Sequence, residues 1–97
     1  MPHYILLINW REQGISKIKE SSDRYKSFKA SLEKAGGKLI GLYYTFGEYD
    51  VVIIIEAPND ETVISLMLKV GSAGNVRTKT LKSFTAEEPM KIIKDLS

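Results

Sequence analysis

The sequence predicts an α+β sandwich: a four-stranded antiparallel sheet with two helices packed on one of its faces. Three observations lead there. The chain has 97 residues, which suits a single domain spanning 1–97 with one closed core. Its β-rich and helix-periodic segments follow the order strand, helix, strand, strand, helix, strand. That order makes the first and third strands central, and both contain five-residue apolar runs, at 4–8 and 51–55.

Each element has a local reason. His3–Trp10 is a β-rich run closed by the polar Arg11-Glu12-Gln13-Gly14, and 15–20 suits a short helical turn. Ser21-Ser22-Asp23 offers an N-cap and an acidic first turn to a longer helix. Its Tyr25, Phe28, Leu32 and Ala35 share one face, and Gly36-Gly37 ends it. Residues 38–46 and 49–56 read as two strands joined by a two-residue Gly47-Glu48 turn, which demands a positive φ at Gly47. Pro58-Asn59-Asp60 breaks and caps. The second helix places Val63, Ile64, Met67 and Leu68 on one face and ends near Gly71. Residues 75–84 form the fourth strand. Thr85-Ala86-Glu87-Glu88 has capping-box spacing before a terminal helix carrying Met90, Ile92 and Ile93.

A sheet covered on one face only should alternate apolar with polar residues on its central strands. Here it does not. With Val51, Ile53 and Ile55 toward the helices, Asp50, Val52, Ile54 and Glu56 face the open side. The same parity places His3, Ile5, Leu7 and Asn9 there, with Gly41, Tyr43 and Thr45, and Arg77, Lys79 and Leu81. Leaving an aliphatic side chain in water forfeits about 1.5–3 kcal/mol. Either the carboxy-terminal tail or a second copy must cover this face, and the sequence favours a homodimer, with higher oligomers open.

Antiparallel pairing gathers Asn9, Trp10, Thr45, Gly47, Tyr49, Asp50, Gly74, Asn75 and Arg77 along one rim of the sheet. An apolar floor with a few convergent polar groups is the usual description of a small-molecule site. Three stretches here, at 4–14, 45–50 and 74–81, resemble the signature stretches of the GYD domain family. Gly47, Tyr49 and Asp50 supply the Gly-x-Tyr-Asp motif behind that name. Arg11 stands where the family commonly has threonine. The resemblance implies a ferredoxin-like fold of the dimeric α/β-barrel type, and no particular activity.

Composition excludes several classes. With 14 basic and 12 acidic residues the net charge is +2, too weak a field to argue for nucleic acid or an anionic membrane. A sheet that reads RNA would carry stacking aromatics on its central strands, whereas this third strand has five aliphatics. There is no cysteine, and the single histidine, His3, lies on the far rim, so no metal or cofactor is expected. No apolar run is long enough to span a membrane and no signal peptide is recognisable, which suggests a cytoplasmic protein.

Each candidate residue also has a structural reading. Asp50 can be a pocket-mouth carboxylate or a turn residue satisfying backbone amides. Arg77 can anchor a small polar or anionic ligand, or simply be exposed. Tyr43 and Tyr49 can pack, and Gly74 can serve a tight turn. The reading reached is a homodimeric small-molecule-binding or regulatory module, with Asn9, Tyr43, Thr45, Asp50 and Arg77 lining the open-face site. The alternatives are a cofactor-independent oxygenase or isomerase, an analogy from fold alone, and a structural assembly protein. No nucleophile–base pair favours the enzyme.

Overall fold

The computed structural model describes residues 1–96. Strands β1 (His3–Trp10), β2 (Lys38–Tyr44), β3 (Val51–Glu56) and β4 (Val76–Ser83) form one sheet in the order β2-β3-β1-β4. All three pairings are antiparallel, with β1 and β3 central as the element order requires. Helices α2 (Ser21–Lys34) and α3 (Asp60–Ser72) pack on one face. The short α1 (Glu12–Ser16) and a single 3₁₀ turn (Ile18–Glu20) fill the β1–α2 connection, and α4 (Glu87–Lys94) follows β4. This is the ferredoxin-like arrangement.

The parity assignment holds. Tyr4, Leu6, Ile8, Val51, Ile53 and Ile55 are buried against Leu32 of α2 and Val63 and Leu66 of α3. Ile5, Leu7, Val52 and Ile54 lie on the other face, only part-buried. On β2 a bulge between Leu39 and Gly41 absorbs Ile40. Gly41 and Tyr43 thereby stand beside Ile54 and Val52 on the open side.

Several local details differ from the sequence expectation. The β2–β3 connection is longer than two residues: the strands end at Tyr44 and resume at Val51. Thr45 N donates to Asp50 O at 2.9 Å, so 46–49 form the loop. Gly47 does have a positive φ, +130°. Gly47→Val is expected to lower stability by about 1 kcal/mol or more through backbone strain alone, because no atom crowds its Cβ position. A thermal melt reads the loss.

At the start of α2 no side chain caps the helix; Ser21 Oγ pairs instead with the Tyr44 hydroxyl across to β2. Thr85 forms no side-chain cap on α4 either. Asn59 caps α3, its Oδ1 accepting from Thr62 N at 2.9 Å. The buried face of α3 is rotated from the expected one: Val63 and Leu66 are buried, while Ile64 and Leu68 are exposed. Helix α3 carries apolar residues on two sides, and periodicity alone could not choose between them. It also runs past Gly71 to Ser72, and Gly74 takes the left-handed conformation (φ +81°).

Tyr4 links the core to the start of α3. Its hydroxyl donates to Asp60, whose carboxylate also lies 3.1 Å from Lys82 Nζ. Burial, reinforced by the neighbouring Asp60 carboxylate, pushes the Tyr4 phenol up to about 12. The hydrogen bond from Tyr4, then the one from Lys82, holds the Asp60 carboxyl below its usual value. The folded chain therefore keeps the phenol protonated where the unfolded chain releases it, so stability falls as pH rises from about 10 towards 12. Asp60 contributes in the opposite direction: its stabilisation is present above the ordinary carboxylate range and is lost as pH falls through its folded value. Asp60→Asn should therefore lower the melting temperature at neutral pH and cease to do so in acid.

Helix α4 stands apart. It makes no substantial packing with any other element. Met90, Ile92, Ile93 and, just beyond, Leu96 are all exposed. The radius of gyration is 15.0 Å, against about 12.5 Å for a compact chain of this length. The tail therefore does not cover the open face of its own sheet.

Candidate functional site

Of the rim residues, the register joins Asn9 to Arg77 and leaves Tyr43 on the opposite edge strand. Asn9 and Arg77 are direct cross-strand partners on β1 and β4. Tyr43 stands opposite Val52, and its ring is more than half exposed. Arg77 is exposed and Asn9 part-buried.

Asp50 is drawn into the backbone. Its N donates to Ile8 O at 2.9 Å, and its Oδ2 accepts from Trp10 N at 2.9 Å. The carboxylate thus stands in for a strand carbonyl where β1 outruns β3, and it fixes the backbone of Trp10. No ion pair joins Asp50 to Arg77 among the described residues. Thr45 Oγ1 donates to Tyr49 O and closes the loop from inside. Tyr49 receives the Lys79 ammonium over its ring, 5.7 Å from the centroid. The tip itself presents Phe46, with its whole side chain in solvent. Arg77 is the candidate whose charge stays at the surface without an ion-pair partner among the described residues.

The sequence reading gave little weight to the segment after β1. Gly14 packs so tightly on the α3–β4 turn that an added Cβ would sit 2.0 Å from Asn75 O. Arg11 N donates to that same oxygen at 2.9 Å. Gln13 Nε2 donates to Ala73 O and to Asn75 Oδ1, both at 3.0 Å. Arg24 of α2 closes the other side, donating to Lys17 O at 3.1 Å and Gly14 O at 3.3 Å. The ends of the first and third signature stretches are therefore clamped together. A Gln-Gly pair after a strand was the available signal, but its partner lies far along the sequence.

On the opposite rim His3 Nε2 lies 3.1 Å from Glu56 Oε1. No cluster of three or more His, Cys, Asp or Glu side chains could hold a metal ion among the described residues. No helix of the described residues is long and apolar enough to cross a membrane.

Similarity to known proteins agrees with the geometry. A solved structure, TTHA0845 from Thermus thermophilus, superposes with a TM-score of 0.56 at 22% identity, covering 89% of this chain and 96% of its own. That likeness supports the fold. A curated Thermus thermophilus protein, named a glutamine synthetase and cystathionine beta-lyase binding protein, is 32% identical over 84 residues, 86% of this chain and 88% of its own length. The GYD domain model matches residues 4–93, taking in all three stretches that the clamp and the hairpin join, and the chain belongs to the GYD domain family.

Proposed function

We propose that this protein is a homodimeric, non-catalytic binding module that docks on enzymes and regulates them. The observation that carries the reading is the name of the curated Thermus relative, a binding protein for two enzymes, at 32% identity over most of both chains. The chemistry of this chain supports it. Asp50 is consumed by the backbone of Trp10, and Tyr4 is held protonated, the reverse of an activated base. Phe46, exposed on a loop closed by Thr45, has the character of a preorganised anchor for a protein surface.

The open face supports dimerisation. Ile5, Leu7, Val52 and Ile54 form an apolar strip that the chain's own tail leaves uncovered. Helix α4, at eight residues, is too short to hold itself in water and supports a contact outside its own chain. At the rim, Arg77 beside Asn9 would anchor a small polar or anionic ligand, while Thr45 and Asp50 hold the hairpin that borders it and Tyr43 stands on the far edge strand.

The test is direct binding of the purified chain to glutamine synthetase and to cystathionine beta-lyase by calorimetry. Saturable binding to either enzyme is expected, and Phe46→Ala should weaken it by more than about 1 kcal/mol. No binding to either enzyme would remove the docking reading. Arg77→Ala should leave docking intact and weaken an anionic ligand by about 1.5–3 kcal/mol, the worth of a charged hydrogen bond.

A further inference from the structure

The face of the sheet that carries the helices is not fully closed. Helices α2 and α3 touch each other little, and a cavity of about 390 Å³ opens between them down to the sheet. Its volume lies within the range of ligand pockets, roughly 300–1,000 Å³. Trp10, Phe28, Leu42, Met67 and Val70 form apolar walls. Trp10 and Tyr44 meet at 5.9 Å between ring centroids, tilted by 51°. Such walls accept a flat aromatic ring.

The surrounding architecture keeps this cavity open. The clamp of Gln13, Gly14 and Asn75 fixes the α1 segment against the α3–β4 turn, and Arg24 ties the start of α2 to that segment. Asp50 pins the backbone of Trp10, which forms the wall beside Asn75. Residues from all three family stretches therefore support the walls of one cavity, on the side of the sheet away from Arg77. Its rim is mixed in charge: Glu20, Asp23 and Arg24 line the side at the start of α2, and Lys69 is the cation supplied by α3. Ser21 pairs with the Tyr44 hydroxyl, and Lys69 of α3 reaches towards Ser31 of α2 at 3.5 Å, a weak bond that leaves the ammonium free for an anion.

We propose that the cavity between α2 and α3 binds a planar aromatic molecule bearing one anionic group, the rings against Trp10 and Phe28 and the anion at Lys69. The site shares no residue with the open face or with Phe46, so it stands whether or not the docking reading does.

Trp10 is the only tryptophan in the chain, so its emission reports occupancy directly. The protein is titrated with 8-anilinonaphthalene-1-sulfonate, an aromatic monoanion, and with the neutral N-phenyl-1-naphthylamine. Saturable quenching of Trp10 by the sulfonate, at one molecule per chain, is expected. Lys69→Gln should weaken the sulfonate by up to about fivefold, the most an exposed ion pair supplies, and leave the neutral probe unchanged. Val70→Phe, which fills the cavity and leaves Trp10 the only tryptophan, should weaken both more than tenfold, whereas Tyr43→Ala on the open face should weaken neither. Absence of saturable quenching overturns the site. Equal loss of both probes in Lys69→Gln overturns the anion assignment. That variant alters an exposed side chain, so it decides the matter even if Val70→Phe does not fold. Tighter binding in Ile93→Asp would show that α4 of a second copy occupies the cavity, and would overturn the proposal too.

Discussion

Ile54→Glu is expected to break the proposed homodimer into monomers. Ile54 lies in the middle of the open face, with Ile5 and Gly41 as its cross-strand partners. In one chain the position is only part-buried, so the glutamate remains hydrated and the fold survives. In a dimer packed through this face each copy would bury a carboxylate without a partner, at a cost of about 3–5 kcal/mol per site. Every 1.4 kcal/mol is tenfold in affinity, so the dissociation constant should rise by more than two orders of magnitude. Sedimentation velocity across the micromolar range reads the change. A variant that stays dimeric with unchanged stability would mean that the face is not the interface.

The second large effect is expected at Gly14. A single methyl there falls 2.0 Å from Asn75 O and 2.9 Å from Asn75 C, both backbone atoms that no side-chain rotation can move away. Gly14→Ala must therefore separate the α1 segment from the α3–β4 turn. The bonds from Arg11 N and Gln13 Nε2 to that turn are lost with it. Overpacking costs about 1–3 kcal/mol and each hydrogen bond about 1 kcal/mol, so a loss of about 3 kcal/mol is expected. For a chain of this size that lowers the melting temperature by roughly 10–20 °C. Gly71→Ala provides the contrast. Gly71 lies inside α3 with nothing within 4 Å of its Cβ position, so that substitution should stabilise by about 0.5–1 kcal/mol. Glycine identity is the same in the two cases and the environment is opposite. Equal melting temperatures for the two variants would refute the clamp.

The layers of this fold were legible because strand parity and element order are written locally. Two adjacent residues on β3 must face opposite sides, and only one side had helices, so the burial of Ile53 and the partial exposure of Ile54 followed. The hairpin was harder. Thr45 and Asp50 replace strand bonds with side-chain and loop bonds, so the strands end earlier than their β-rich composition suggests. The rotated face of α3 was hidden because Ile64 and Leu68 are as apolar as the residues that are buried. Least legible of all was the clamp. Gly14 is constrained by the carbonyl of Asn75, far along the chain, and nothing next to Gly14 in the sequence signals that contact. Asn9 and Arg77 meet across β1 and β4 as the topology requires, but the role of Asp50 depended on one amide, that of Trp10, which topology alone does not orient.

The position of β1 has a consequence for how the chain is made. It is synthesised before the other strands of its sheet and sits between β3 and β4, pairing His3 with Ser83 and Trp10 with Val76. One edge of this strongly apolar strand therefore has no partner until residues 76–83 have been synthesised. Contacts this distant in sequence also form slowly, because the loop must close before pairing rewards it. During that interval the nascent chain presents an open β edge of Tyr-Ile-Leu-Leu-Ile, the kind of template on which other chains assemble. Yield in cells should thus depend on how quickly β4 arrives. Slowing translation across 76–83 should increase insoluble product even though the finished protein is unchanged.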